Sequence, residues 1–375
     1  MAQQQSWDRL SKQGKNAAVQ HKGEHSTCRR RVILKIAALF PIASPRPPCT
    51  LPDDLQNESV MRDILTVTLN PALDLSTGAA SVYPGVKLRC DPVHIDPGGG
   101  GINVSRAVAL LGGTSRCFVV LAGGTGERLA DLLTQAGVDL IVHDGPGETR
   151  SSLAVIDHRT GEQYRFMLPG PDWNAIASMS AAQGIREAVR PGSLVVVSGS
   201  LPPGVPQSIL PELCRQIAEG GAEAIVDTSG PALHLLASAQ GPAPMVLRMN
   251  NVEADDIAGH HLRDLAESAD FASALVARGA AKMVVIARGP EGSVLATATE
   301  RLHSRAANVP VRSKVGAGDS FVGGFTFGLA RGDSLGVALQ RGVSAASAAV
   351  MTEGTLLCRK EDAERLFDVC PSHPI

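Results

Sequence analysis

Leu194-Val195-Val196-Val197 is an unbroken apolar run, and Ser198-Gly199-Ser200-Leu201-Pro202-Pro203-Gly204 follows it at once. A strand with one wet face alternates apolar and polar residues. A continuously apolar strand is covered on both faces, as in parallel sheets flanked by helices. The same form recurs outward along the chain: Ile64 to Leu69 and Phe118 to Leu121 before it, then Ala224-Ile225-Val226, Met245-Val246-Leu247 and Met283-Val284-Val285-Ile286 after it. Helical segments separate these runs. Ile102 to Leu111 has helical spacing and stops at Gly112-Gly113, and a second helix runs from the glycine-rich turn after Leu121 through Ala136. This alternation predicts an α/β fold with a mainly parallel sheet covered on both faces. Ligands in such sheets bind beyond the carboxyl ends of the strands, so the chemistry is expected just after each run.

Two stretches break the alternation. Residues 82–95 and 152–167 carry apolar and polar residues in turn, as in Tyr164-Arg165-Phe166, and predict antiparallel strands of a small lid. Residues 1–60 are rich in Gln, Lys, Arg, Ser and Pro and predict a disordered or loosely attached extension, with the folded domain spanning 61–375. Met61 directly precedes the first strand and is a candidate start codon. Val32 to Ala43, after Arg29-Arg30-Arg31, vaguely resembles a signal-peptide core, but it is short, carries Lys35 and lies far from the N-terminus.

The 375 residues are 44% hydrophobic, enough for a sizeable core, and the net charge of −2 calls for neither nucleic acid nor an anionic membrane. Aromatics at 3% argue against a base-stacking surface. No apolar run is long enough to span a bilayer. The seven cysteines include no CxxC pair, which predicts a reduced, cytoplasmic protein without structural zinc.

Val315-Gly316-Ala317-Gly318-Asp319-Ser320-Phe321 carries the strongest chemical signal. Glycines entering a helix present backbone N–H groups and the positive dipole end to an anion, and an adjacent Asp319 would take the proton of an attacking hydroxyl. The helix N-terminus is expected to keep that carboxylate ionised. An N-cap aspartate after a glycine turn is an equally good reading of these residues alone. The segment is not a P-loop, since no Lys-Ser/Thr follows the glycines.

Pro97-Gly98-Gly99-Gly100-Gly101-Ile102-Asn103 also enters a helix and leaves room for a polar ligand against bare backbone. Asn103 would exchange hydrogen bonds with hydroxyls. The alternatives are a flexible loop or a dinucleotide turn, but the glycines do not follow the first strand as that fingerprint requires. Asp74, in Leu69-Asn70-Pro71-Ala72-Leu73-Asp74, is an acid at the ligand edge or else a turn residue. In Arg248-Met249-Asn250-Asn251-Val252-Glu253, Glu253 would hold a magnesium ion through water. A capping box between Asn250 and Glu253 is the simpler reading of that spacing. Arg150 and Arg165 near the lid suit a phosphate, or are solvated surface charges. Arg288-Gly289-Pro290-Glu291-Gly292 would turn around a nucleotide.

Together these motifs resemble the PfkB family of sugar kinases, from about Met61 to the C-terminus. Gly98 to Asn103 is similar to one family signature and Val315 to Ser320 to the other. Tyr83-Pro84 with Lys87-Leu88-Arg89-Cys90, Gly161 to Phe166, Ser198 to Gly204 and Gly354 to Cys358 resemble the phosphofructokinase and tagatose-phosphate kinase branch. The resemblance implies a ribokinase-like three-layer sandwich with a β lid. It implies ATP-dependent phosphorylation of fructose 6-phosphate at its 1-hydroxyl, with magnesium and a potassium site near Ser313, Val315 and Gly354. In those terms Asp319 is the base and Gly316, Ala317 and Gly318 the anion hole. Asp74, Gly99, Gly100 and Asn103 hold the sugar, and Arg150, Arg165 and Ser200 its phosphate. Arg248, Asn250, Glu253, Gly289 and Gly292 serve the nucleotide, and Lys87 reaches a neighbouring subunit's site in a homodimer formed through the lids.

Two positions depart from the branch. Arg248-Met249-Asn250 stands where it usually has Lys-Pro-Asn, so a broad guanidinium replaces a compact ammonium. Lys314 replaces a small hydroxyl residue. Competing activities within the class are 1-phosphofructokinase and tagatose-6-phosphate kinase. Outside it stand a sugar-phosphate-binding regulator, against which the intact Asp319 segment argues, and an NAD-dependent oxidoreductase, whose fingerprint is missing.

Overall fold

The computed structural model describes residues 61–375, and the expectations for residues 1–60 lie outside the described residues. The strands are β1 Ile64–Thr68, β2 Ala72–Ala79, β3 His94–Gly98, β4 Arg116–Leu121, β5 Asp139–Asp144, β6 Arg150–Asp157, β7 Gln163–Met167, β8 Leu194–Ser198, β9 Glu223–Asp227, β10 Val246–Asn250, β11 Met283–Ala287, β12 Ser293–Ala296, β13 Arg301–Ser304 and β14 Ser372–Pro374. The helices are α1 Gly100–Leu110, α2 Gly123–Gln135, α3 Ala175–Ala188, α4 Ile209–Glu219, α5 Gly230–Ala237, α6 Asn251–Ala258, α7 Leu265–Ala277, α8 Ala317–Ala330, α9 Leu335–Ala349 and α10 Lys360–Phe367.

The ten-stranded sheet has the order β14-β13-β12-β11-β10-β9-β8-β1-β4-β5. From β5 across to β11 the pairs are parallel, and β12, β13 and β14 close the edge antiparallel. The expected runs fall at its centre, where every residue of β1 and β8 is buried. One face packs Val195, Val197, Val226 and Leu247 against α3 to α7, and the other packs Ile64, Val196 and Ile225 against α1, α8 and α9. These are the three layers of the expected sandwich. Among the described residues, no helix is long and apolar enough to cross a membrane.

The lid differs from its reading in the sequence. It is a four-stranded sheet of order β3-β2-β6-β7. Residues 152–167 do form the β6–β7 hairpin. Residues 82–93 are not a strand: their one ladder pairing is an isolated Ala79–Cys90 bridge. Pro84 and Pro92 have no N–H to donate, and Gly85 sits at φ 79°, so a ladder cannot run through them. Their place is taken by β2, which begins at Ala72 and carries Asp74 within a strand rather than a turn. The lid is mixed rather than antiparallel, because β2 runs parallel to β6.

Candidate active site

The carboxyl ends of β8 and β9 and the middle of β10 bring Ser198, Asp227 and Arg248 together. Asp227 accepts from Arg248 Nη1 at 3.0 Å and from the Ser198 hydroxyl at 3.4 Å. Both members of the Arg248–Asp227 pair are 12% exposed in their side chains. An ion pair so buried keeps its place only through such bonds, and Arg248 Nε has no hydrogen-bond partner among the described residues. The guanidinium packs over Gly318: a Cβ there would lie 3.3 Å from both of its Nη atoms.

Gly318 lies in the first turn of α8. Gly316, at φ 75°, is the N-cap, and the first helical bond runs from Ser320 N to Gly316 O at 2.8 Å. The N–H groups of Ala317, Gly318 and Asp319 precede that bond, which is the geometry of an anion site. Asp319 is therefore the third helical residue and not the N-cap. Its side chain makes no cap bond. It turns instead toward α1, where Asn103 Nδ2 donates to Asp319 Oδ2 at 2.9 Å.

The expected effect of the helix dipole on Asp319 is outweighed. Burial, with the Asp227 charge adding to it, pushes the Asp319 carboxyl up to about 7, against the Asn103 bond and the Arg248 charge. A dipole at a helix end is worth about 0.3–1 kcal/mol, less than the loss of water around a carboxylate costs.

The glycines of α1 make the approach possible. A Cβ on Gly100 would meet Ser198 Oγ at 2.4 Å, and one on Gly101 would meet Val67 O at 2.5 Å. The helix thus lies directly on the ends of β1 and β8. Gly99 is its N-cap, at φ 134°.

The lid brings its own polar set. Asp74 accepts from the Ser152 hydroxyl on the neighbouring β6. Burial raises its pKa, while the charges of Arg150 and Arg165 act the other way. Arg150 is half-buried and already donates to Asn70 O, at 3.3 and 3.1 Å, and to Leu168 O at 3.2 Å. Arg165 is exposed on β7. Ser200 Oγ accepts from Asn70 Nδ2 at 3.2 Å, which ties the loop after β8 to the end of β1.

Other expected residues sit at the rim or apart. Asn250 and Glu253 form a complete capping box at α6: Asn250 Oδ1 accepts from Glu253 N at 2.9 Å, and Glu253 Oε2 accepts from Asn250 N at 2.8 Å. Burial and the nearby Asp227 charge raise the Glu253 pKa. Gly289 opens a 3-10 turn after β11, and Gly292, at φ 96°, ends it. Ser313 Oγ donates to Gly354 O at 2.7 Å and accepts from Val315 N at 3.1 Å, so these three residues form one knot before α8. Lys314 and Lys87 are exposed, and Lys87 lies in the 82–93 coil.

Asp227 and Asn70 were not read as site residues in the sequence. Asp227 had a signal, since it is the acid that closes the Ala224-Ile225-Val226 run at the ligand edge of the sheet. Asn70 had none, because its bond to Ser200 joins residues 130 positions apart.

The family model described as pfkB family carbohydrate kinase matches residues 64–362. The chain is 38% identical over 308 residues to the ATP-dependent 6-phosphofructokinase isozyme 2 of Mycobacterium tuberculosis, covering 82% of this chain and 89% of that protein. It is 34% identical over 266 residues to the 1-phosphofructokinase of Xanthomonas campestris, covering 71% and 83%. Phosphofructokinase-2 from Escherichia coli, solved in complex with fructose-6-phosphate, superposes with a TM-score of 0.77 at 34% identity, covering 83% of this chain and 99% of that one. With the glycine-rich entries to α1 and α8 meeting at Asn103 and Asp319, and a family match spanning nearly all of the described residues, the chain belongs to the pfkB family of carbohydrate kinases.

Proposed function

We propose that the protein phosphorylates fructose 6-phosphate at its 1-hydroxyl, using ATP. The observation that carries this reading is the Asn103–Asp319 bond, which puts a half-buried carboxylate beside the first-turn N–H groups of α8. The attacking sugar oxygen forms its bond to the γ-phosphorus as the bond to the ADP oxygen breaks, and the hydroxyl proton passes to Asp319. A base with a pKa near the working pH is best matched to that transfer. The N–H groups of the Gly316–Gly318 turn, with Arg248 above Gly318, face the charge that develops on the transferring group.

Asp74, Gly99, Gly100 and Asn103 form the sugar subsite in this reading, with Arg150, Arg165 and Ser200 for its phosphate. Asn250, Glu253, Gly289 and Gly292 line the nucleotide side. Magnesium binds through few protein carboxylates and several waters. The Asp227 and Glu253 carboxylates, close enough for one charge to act on the other, suit that demand. Magnesium bound with ATP would neutralise charge on the β- and γ-phosphates. The oxygens at Ser313, Val315 and Gly354 suit a potassium ion. A second copy of the chain is the proposed partner of the lid's outer face, where Tyr164 and Phe166 are exposed, with Leu88 and Val93 exposed in the adjoining coil. Lys87 would then reach the neighbouring site.

The test is a coupled assay with ATP and a panel of fructose 6-phosphate, fructose 1-phosphate, tagatose 6-phosphate and fructose. The highest kcat/KM is expected on fructose 6-phosphate. A preference of tenfold or more for another acceptor would replace this substrate assignment.

A further inference from the structure

The lid strands place two like charges opposite each other. In the antiparallel register of β2 and β3, Asp74 pairs directly with Asp96. Like charges at directly opposed positions destabilise a sheet. Asp96 is also held from outside the lid, where Thr355 Oγ1 donates to its Oδ2 at 2.5 Å. The exposed His94 lies 3.1 Å from the same oxygen.

One cation on α1 faces this pair. The half-buried Arg106 interacts with the charges of both Asp96 and Asp74. Its Nη1 donates to Pro97 O at 3.2 Å and to Asn103 Oδ1 at 3.4 Å. The Asn103 amide is thus bonded at both ends, with Oδ1 toward Arg106 and Nδ2 toward Asp319. Only this orientation satisfies both neighbours, since the flipped amide would set its NH2 against a guanidinium and its carbonyl against a carboxylate.

We propose that Arg106 is a positioning residue for phosphoryl transfer: it fixes the Asn103 amide against Asp319 and holds the opposed Asp74 and Asp96 carboxylates of the lid against α1. It touches no reacting atom and acts through Asn103 and Asp74. The two effects differ chemically. Orienting Asn103 needs a donor of arginine's reach and geometry, whereas offsetting two carboxylates needs only a positive charge.

The proposal rests on the reading of Asp319 as the base, and the experiment separates the two. Wild type, Arg106→Met, Arg106→Lys, Asn103→Ala and Asp319→Asn are compared on the acceptor that wild type turns over best. Arg106→Met is expected to lower kcat at least tenfold and raise the sugar KM at least fivefold, leaving the ATP KM within twofold. Its acid limb in the kcat–pH profile should move to higher pH, because Asp319 loses a fixed donor while Asp227, Asp74 and Arg248 still face it. Arg106→Lys should restore the sugar KM but not kcat. Adding Arg106→Met to Asn103→Ala should lower kcat no further. If Arg106→Met does not fold, the lysine variant alone decides: reduced kcat with a wild-type sugar KM supports the proposal, and a wild-type kcat overturns it. It is also overturned if kcat and KM change only in step with melting temperature, with the acid limb unmoved. An active Asp319→Asn enzyme would instead remove the base assignment itself.

Discussion

Asn103 Nδ2 on α1 lies 2.9 Å from Asp319 Oδ2 on α8, a hydrogen bond between residues 216 positions apart. Two glycine-rich helix entries that look independent in the sequence are therefore two walls of one site. Both helices pack on the same face of the sheet, through Val104 and Val108 of α1 and Phe321, Val322 and Phe325 of α8.

Asp319→Asn keeps the size of the side chain and an oxygen for the Asn103 donor but removes the proton acceptor. Loss of a general base lowers rates by about 10²–10⁴-fold. Steady-state kinetics should show kcat down by at least about two orders of magnitude, with both KM values largely kept. Turnover within a few-fold of wild type would leave Asp319 with no role in proton transfer.

The pH dependence follows from the same group. With the carboxyl at about 7 in the folded protein, against an ordinary 3.8, kcat should fall with one-proton slope as pH drops below about 7. Stability runs the other way, because a raised carboxyl pKa means folding disfavours the ionised form. That penalty is absent below the ordinary value, grows as pH rises through the gap and is complete above about 7. The asparagine variant should consequently melt above wild type at pH 8, by a margin that narrows steadily as pH falls toward 4. Parallel melting curves across this range would contradict the buried, raised carboxyl.

Arg165→Ala should raise the KM for the sugar phosphate strongly and leave the ATP KM nearly unchanged, with no loss of melting temperature, since the side chain is exposed. Arg150→Ala should raise the same KM but also destabilise, because Arg150 braces the carbonyls of Asn70 and Leu168. A sugar KM unmoved in both variants would remove the phosphate assignment.

Glu253 is both a cap and a candidate magnesium contact, and two substitutions separate the roles. Glu253→Gln keeps an oxygen for Asn250 N, so its melting temperature should hold while the magnesium requirement for kcat rises. Glu253→Ala loses the cap as well and should be destabilised by about 1 kcal/mol. An unchanged magnesium titration for the glutamine variant would leave only the cap.

Phe166 is half exposed on β7, in the apolar outer face of the lid. If that face meets a second copy, Phe166→Glu should shift the sedimentation coefficient toward the monomer at micromolar protein, with the melt of the main domain preserved. An unaltered oligomer would place the interface elsewhere.

The parallel core was legible because its signal is local: an apolar run of four or five residues between helical spacings can be little else. β12 and β13 escaped because four-residue antiparallel strands are too short to carry that signature. Residues 82–93 misled because alternation persists there, although their prolines cannot donate to a ladder. The glycines before Asp319 announced the start of α8, since a glycine turn ahead of a helix and its bare N–H groups follow from the chain itself.

The sequence by itself determined the layered α/β frame, the two helix entries and the acid beside one of them, all properties of neighbouring residues. Only the tertiary structure decided that Asp319 reaches across to Asn103 rather than capping its own helix. The same holds for its displacement to about 7 and for the charges of two lid carboxylates acting on Arg106 of α1. Those outcomes depend on water excluded and charges gathered from distant segments, and the order of residues along a chain does not record which of them meet.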